Sequence, residues 1–273
     1  MINKKETSFS QEINTLIHNY YEDYYKSSLG LPNWKDLCQQ RINEEEIYCS
    51  RYIDNIKNWI NIDFSKKNVL VVGSGTGGEL VNFFLEGADV YGIEPYEPAN
   101  EISRLKAKSI GFPETNIKSG SAEDIDFEDR FFDFVYCYTV IEHVEDVAQS
   151  IKEMLRVVKP GGHLFIQAPD YRQLYEGHYK LPLPMFLPIW FNKILLRIYG
   201  RPVDFLNTIN KVNSKGIKNI LDSHKILSMQ IHPNREKRLS NRYIVKIIFF
   251  IQDLIYKRFN APLNQIWLIK KNN

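Results

Sequence analysis

Four glycines within six positions, Gly73, Gly75, Gly77 and Gly78, close the apolar run Val69–Val72 in the stretch VLVVGSGTGGEL. Glycine lets a chain turn sharply and lets a ligand lie against the backbone. With Ser74 between the first two, this loop offers N–H groups and little side chain. The spacing Gly73-x-Gly75-x-x-Gly78 satisfies the dinucleotide fingerprint, but alone it selects only an adenosine compound, NAD or another. Glu94 stands 19 residues beyond Gly75, where a carboxylate can accept hydrogen bonds from both hydroxyls of a ribose. Further on, His143 and His178 offer imidazoles that are partly neutral near pH 7 and can take up a proton. Asp170 and Tyr171 add a carboxylate and a phenol.

Such groups act together only if strands deliver them to one edge. Val69–Val72 reads as a buried strand and residues 79–86 as the start of a helix. A second strand at 89–93 ends in Glu94-Pro95, and a helix over about 97–110 stops at Gly111-Phe112-Pro113. Short strands follow near 116–119 and at 132–138. A helix at about 146–158 meets Lys159-Pro160-Gly161-Gly162, a stop and turn, and a strand at 163–168 comes next. This alternation of short apolar strands with helices predicts a parallel sheet covered on both faces. Ahead of it, residues 9–27 and about 35–60 carry helical spacing. In the second segment Leu37, Arg41, Ile47, Arg51, Tyr52, Ile56 and Trp59 form the recurring row, with acids at the other positions. After Asp170 the rhythm breaks into residues 170–213, rich in proline, aromatics and basic groups. A helix near 214–223, a strand at 225–231, an apolar helix at about 241–259 and a strand at about 265–270 close the chain.

The 273 residues suffice for one large domain, and 44% hydrophobic with 25% charged residues is ordinary for a globular protein. Cys38, Cys49 and Cys137 are odd in number and form no CxxC, so neither a disulfide framework nor a structural zinc site is suggested, and no metal is expected. The N-terminus lacks the apolar stretch of a signal peptide and no segment reads as a membrane span, so a cytoplasmic location is expected. The net charge of +2 hides an asymmetry: residues 1–170 hold 17 Lys and Arg against 28 Asp and Glu, and residues 171–273 hold 18 against 5. The last third is therefore suited to an acidic partner.

Four segments in this order resemble the class I S-adenosylmethionine-dependent methyltransferases: VLVVGSGTGGEL, VYGIEP, SGSAEDIDFEDRFFDFVYCYTVIEHVED and LRVVKPGGHLFIQAPD. The resemblance covers roughly residues 55–170. It implies a Rossmann-like, doubly wound α/β sheet, mostly parallel with an antiparallel last strand, plus N-terminal helices and a lid insertion. The corresponding division is 1–62 for the helices, 63–170 for the cofactor half, 171–213 for the lid and 214–273 for the closing elements. The implied cofactor is S-adenosyl-L-methionine. Gly73, Ser74, Gly75 and Gly77 would receive its methionine tail and ribose, Glu94 its ribose hydroxyls, and Ser121, Ala122 and Glu123 its adenine. Tyr138 would leave the fourth strand where tail and methyl group sit. Asp133 resembles an acid that usually has a structural role. Val71 and Ser121 depart from the family, which often has acids at both positions.

Methyl transfer to a hydroxyl needs a base as the proton becomes acidic, and His143, His178 and Asp170 are the candidates. The Glu-His pair of IEHVED also resembles quinone and other small-molecule O-methyltransferases. Asn-Pro-Pro-Tyr, the signature of many N-methyltransferases acting on nucleic acids, is absent, so O-methylation of a small molecule or a glycan or lipid-linked precursor is expected. From Ile189 onward the insertion predicts an amphipathic helix. Its apolar side either packs on the sheet edge or meets an anionic, partly apolar partner, the membrane face included. The basic residues are scattered among apolar segments, which disfavours nucleic acid. The helix at 241–259 suits the core or a homodimer interface. The competing readings are a catalytically silent binding protein of the same fold and an NAD-dependent oxidoreductase, whose Tyr-x-x-x-Lys is missing.

Overall fold

A computed structural model describes residues 9–224, 226–231, 254 and 264–272. Seven strands form one sheet: β1 (Asn68–Val72), β2 (Asp89–Glu94), β3 (Ile117–Ser119), β4 (Phe132–Tyr138), β5 (Val158–Pro169), β6 (Leu227–Ile231) and β7 (Asn264–Lys270). Their order is β3-β2-β1-β4-β5-β7-β6. The first five run parallel, while β7 lies antiparallel between β5 and β6. The closing strand is thus interior to the sheet. The chain moves outward in one direction from β1 to β3 and in the other from β4, which makes the carboxyl edge between β1 and β4 the switch point where ligands settle in such sheets.

Alternate residues of each strand enter different cores. Leu70, Val72, Val135, Cys137, Leu164 and Ile166 join one cluster with α1 (Gln11–Glu22), α5 (Val147–Val157) and α7 (Ser214–Ser223). Val69, Val71, Phe134, Tyr136 and Phe165 join the other with α2 (Trp34–Ile60) and α3 (Gly78–Leu85). Burial on both faces explains why these strands read as unbroken apolar runs. The helix α4 (Glu97–Ile110) connects β2 to β3, and α6 (Ile189–Ile198) lies within the insertion. Asp146 Oδ1 caps α5 by accepting the N–H groups of Ala148 and Gln149 at 2.9 and 3.0 Å. Asp133, at the start of β4, accepts Asn68 N–H at 3.0 Å and Lys159 Nζ at 2.8 Å, tying β1 to β5.

Three features differ from the sequence expectation. In α2 the acids are not all outside: Glu45 and Glu46 are buried, while Ile47, placed in the apolar row, is 46% exposed. Paired cations inside decide this, as described below. The Pro-Gly-Gly segment is not a turn between helix and strand, because β5 begins directly after α5. Phe132 pairs with Val158 and Phe134 with His163, so the extra residues bulge from a continuing ladder. In α6 only Asn192 and Leu196 are buried, and Trp190 and Ile198 are 60% and 73% exposed. Most of its apolar side is therefore not packed on the sheet edge. The helix expected at about 241–259 lies outside the described residues save for position 254.

Candidate active site

The glycine loop leaves β1 at the switch point. A Cβ at Gly75 would meet nothing within 4 Å, so this peptide has an open face, and its φ of +50° suits glycine. At Gly73 a Cβ would overlap Val140 Cγ2, so close packing with the loop after β4 demands glycine there. At Gly77 the close neighbour is Ser103 of α4, whose Oγ donates to Gly75 O at 2.8 Å. Ser74 is buried and its Oγ has no partner.

Glu94, the last residue of β2, faces the loop. Its Oε2 accepts Gly75 N–H and its Oε1 accepts Tyr96 N–H, each at 3.0 Å. Burial raises its pKa, against the effect of these two donors. Among the described residues it makes no ion pair. A fixed carboxylate with spare lone pairs beside an open backbone face fits an adenosine ribose.

The remaining residues expected to bind cofactor are placed less uniformly. Ala122 is buried after β3, and Ser121 forms a bridge with Asp124. The Glu123 carboxylate turns to the loop ahead of α5, accepting Glu145 N–H at 2.7 Å. Its own carbonyl accepts Gln149 Nε2 at 3.2 Å. These bonds employ Glu123 in joining two loops. The Tyr138 ring packs at 5.0 Å from Tyr52 of α2 and at 6.2 Å from Tyr136, which places it in the α2-side core. That position follows from strand alternation, since Phe134, Tyr136 and Tyr138 share one face.

On the far side of the switch point, the β4 loop and the insertion bring His143 and His178 together, Nε2 to Nε2 at 3.4 Å. His178 Nδ1 lies 2.6 Å from Glu176 Oε1, and the other oxygen of Glu176 accepts Tyr179 N–H at 2.7 Å. His143 Nδ1 faces Thr208 O at 3.4 Å, and Phe205 lies against both rings, its centroid 5.7 and 5.3 Å away. Burial alone would lower the pKa of His178, but the Glu176 carboxylate raises it. His143 is pushed down to about 4 by desolvation and by the charge of His178. Glu142 is fully buried, neither carboxylate oxygen has a partner, and burial lifts its pKa to about 7.

Asp170 is committed elsewhere. Both of its oxygens bond the Arg172 guanidinium, at 2.9 and 2.6 Å, and Oδ2 also accepts Ser214 N–H at 3.0 Å. It anchors the residues after β5 to the start of α7.

Glu176 and the group beneath the glycine loop are not apparent from residue types alone. Thr76 Oγ1 donates to Glu45 Oε1 at 2.6 Å, Tyr21 Oη donates to the same oxygen at 2.6 Å, and buried Lys106 bonds Glu45 and Glu46. The Glu176-x-His178 spacing was a usable signal for the first. For the second there was none, because Tyr21, Glu45, Thr76 and Lys106 come from four separate segments.

Residues 70–166 match the family model for a methyltransferase domain. Demethylmenaquinone methyltransferase of Bacillus cytotoxicus is 30% identical over 113 residues, covering 39% of this chain and 48% of that protein. Ubiquinone biosynthesis O-methyltransferase of Vibrio cholerae is 35% identical over 99 residues, covering 36% and 40%. The chain thus spans less than half the length of these curated relatives. Among solved structures, the YcgJ protein of Bacillus subtilis superposes with a TM-score of 0.54 at 16% identity, over 80% of this chain and 97% of that one. Phosphoethanolamine N-methyltransferase 2 of Haemonchus contortus, in complex with S-adenosyl-L-methionine, gives 0.54 at 15% identity, over 100% and 61%. These likenesses show the fold.

Proposed function

We propose that this chain, whose residues 70–166 match the family model for a methyltransferase domain, is a class I S-adenosylmethionine-dependent O-methyltransferase acting on a small, partly apolar and anionic acceptor. The observation that carries this reading is the Glu94 carboxylate hydrogen-bonded to the open Gly75 peptide at the switch point. S-adenosylmethionine supplies, when bound, an electrophilic methyl group with its own leaving group. The chain supplies position and a proton acceptor. Glu94 takes the ribose hydroxyls, the backbone of residues 73–77 takes the tail, and Ala122 lines the adenine side. His143 and His178 receive the acceptor's proton. Their facing nitrogens can share it, and Glu176 stabilises the resulting imidazolium.

The family model matches residues 70–166 and the curated relatives span 36–39% of the chain, so the acceptor is read from the insertion. Residues 177–203 hold Lys180, Lys193, Arg197 and Arg201 and no acid. Phe186, Ile189, Trp190, Ile194 and Ile198 are exposed around them. An acceptor carried on an anionic lipid, met at the membrane face, matches that surface. Among the described residues no helix is long and apolar enough to cross a membrane.

Calorimetric titration with S-adenosylmethionine, S-adenosylhomocysteine and NAD tests the reading. The first two should bind and NAD should not. Glu94→Ala should weaken binding at least tenfold, since a charge-assisted hydrogen bond contributes about 1.5–3 kcal/mol. Unchanged affinity in that variant would remove the assignment. His143→Ala and His178→Ala should keep cofactor affinity, and at least one should lower turnover of a hydroxyl acceptor.

A further inference from the structure

We propose that Glu142, His143 and His178 bind one zinc-type divalent cation, with Glu176 as the group that orients His178. The assignment begins with the tautomers. A carboxylate only accepts, so His178 Nδ1, 2.6 Å from Glu176, carries the proton; a carbonyl only accepts, so His143 Nδ1, facing Thr208 O at 3.4 Å, carries one too. When both rings are neutral, their Nε2 lone pairs face each other at 3.4 Å. Facing lone pairs repel unless a cation or a proton lies between them. Two nitrogens bound to a tetrahedral zinc at about 2.0–2.1 Å are themselves about 3.4 Å apart.

Glu142 is the independent observation. It is fully buried, its two oxygens bond nothing, and it lies with the two nitrogens in a group whose ligand atoms are all within 4.8 Å of one another. A buried polar group without a partner is costly, and a cation held by both imidazoles would supply the partner. The Glu176 carboxylate, fixed by Tyr179 N–H, completes the carboxylate–histidine–metal arrangement that sets tautomer and ring orientation. Two imidazoles and one carboxylate suit zinc and similar d-block ions rather than magnesium or calcium, which prefer all-oxygen sets. Three protein ligands leave a fourth position open, as in zinc sites that act on substrates.

The role of the ion rests on the O-methylation reading; its binding does not. With zinc bound, both Nε2 lone pairs are taken, so the ion replaces the two imidazoles as the group that activates the hydroxyl. An acceptor hydroxyl in the open position forms an oxygen–zinc bond, its O–H bond breaks, and the proton leaves to solvent. The oxygen keeps the electron pair that attacks the methyl group.

The test uses the full chain, stripped with a chelator and dialysed, then titrated with zinc chloride in competition with a chromophoric chelator. Cobalt(II) absorption reports the coordination geometry. One zinc per chain and a tetrahedral cobalt spectrum are expected. His178→Ala should abolish both signals, Glu142→Gln should weaken binding strongly, and Glu176→Gln should weaken it by about 10–100-fold. His18→Ala, on α1, should change nothing. Circular dichroism checks that each variant is folded. The wild-type chain carries the test even if a variant fails to fold. No stoichiometric zinc binding, or equal affinity in folded Glu142→Gln and His178→Ala, overturns the proposal. Cofactor titration of the same zinc-free protein keeps the two readings apart: loss of zinc binding with intact S-adenosylmethionine binding refutes the metal alone.

Discussion

A Cβ on Gly73 would overlap Val140, whereas one on Gly75 would enter open space, although both residues have positive φ. The two positions should therefore fail differently. Gly73→Ala adds a steric clash to left-handed strain and should destabilise the fold by about 2 kcal/mol or more. Adding Val140→Ala should restore part of that loss. Gly75→Ala carries only the backbone penalty of about 1–2 kcal/mol, but its methyl group enters the open face of the glycine loop and should weaken cofactor binding by a larger factor than Gly73→Ala. Thermal melts and cofactor titrations of the three proteins check both orders. Glu94 and the loop glycines were legible in the sequence because their spacing is local. The employment of Asp170 by Arg172 and Ser214 was not, because Ser214 lies 44 residues further on.

α2 holds the glycine loop from below. Thr76 in the loop bonds Glu45, and Lys106 of α4 binds the same carboxylate. Burial would raise the pKa of Glu45, but Lys106 and Arg41 hold it down to about 2. A folded pKa below the unfolded value near 4.3 means that the ionised carboxylate stabilises the protein above about pH 4.5, and that this contribution is lost as the pH falls towards 2. Glu45→Gln should cost about 3 kcal/mol at pH 7. The difference in melting temperature between wild type and variant should shrink steadily between pH 5 and 3. A constant difference across that range would show that the charge is not what stabilises this contact. Helical periodicity placed α2 correctly, but not its inner face, because charged residues buried by their partners break the apolar row.

Across the whole molecule, residues 1–170 carry an excess of acids and residues 171–273 an excess of Lys and Arg. The insertion also exposes Trp190, Ile194 and Ile198 on α6. If that face meets an anionic membrane, the protein should float with vesicles containing phosphatidylglycerol and not with pure phosphatidylcholine, and salt should weaken the association. Trp190→Glu should abolish flotation without altering the fold or cofactor affinity. Flotation that survives this change, or is equal on both vesicles, would exclude α6 as the docking face.

Local pattern was enough to place the strand–helix alternation, the sheet's parallel core, the glycine loop and the carboxylate of Glu94 at the end of β2. Each depends on periodicity or on residues joined by one short connection. Long-range packing set the rest: β7 lies between β5 and β6, Tyr138 faces the α2 core, Glu45 is buried against Lys106, and His178 returns to His143 across 35 positions. Those outcomes are set by pairings between distant segments, where burial, charge compensation and close packing select one arrangement from many that local pattern allows.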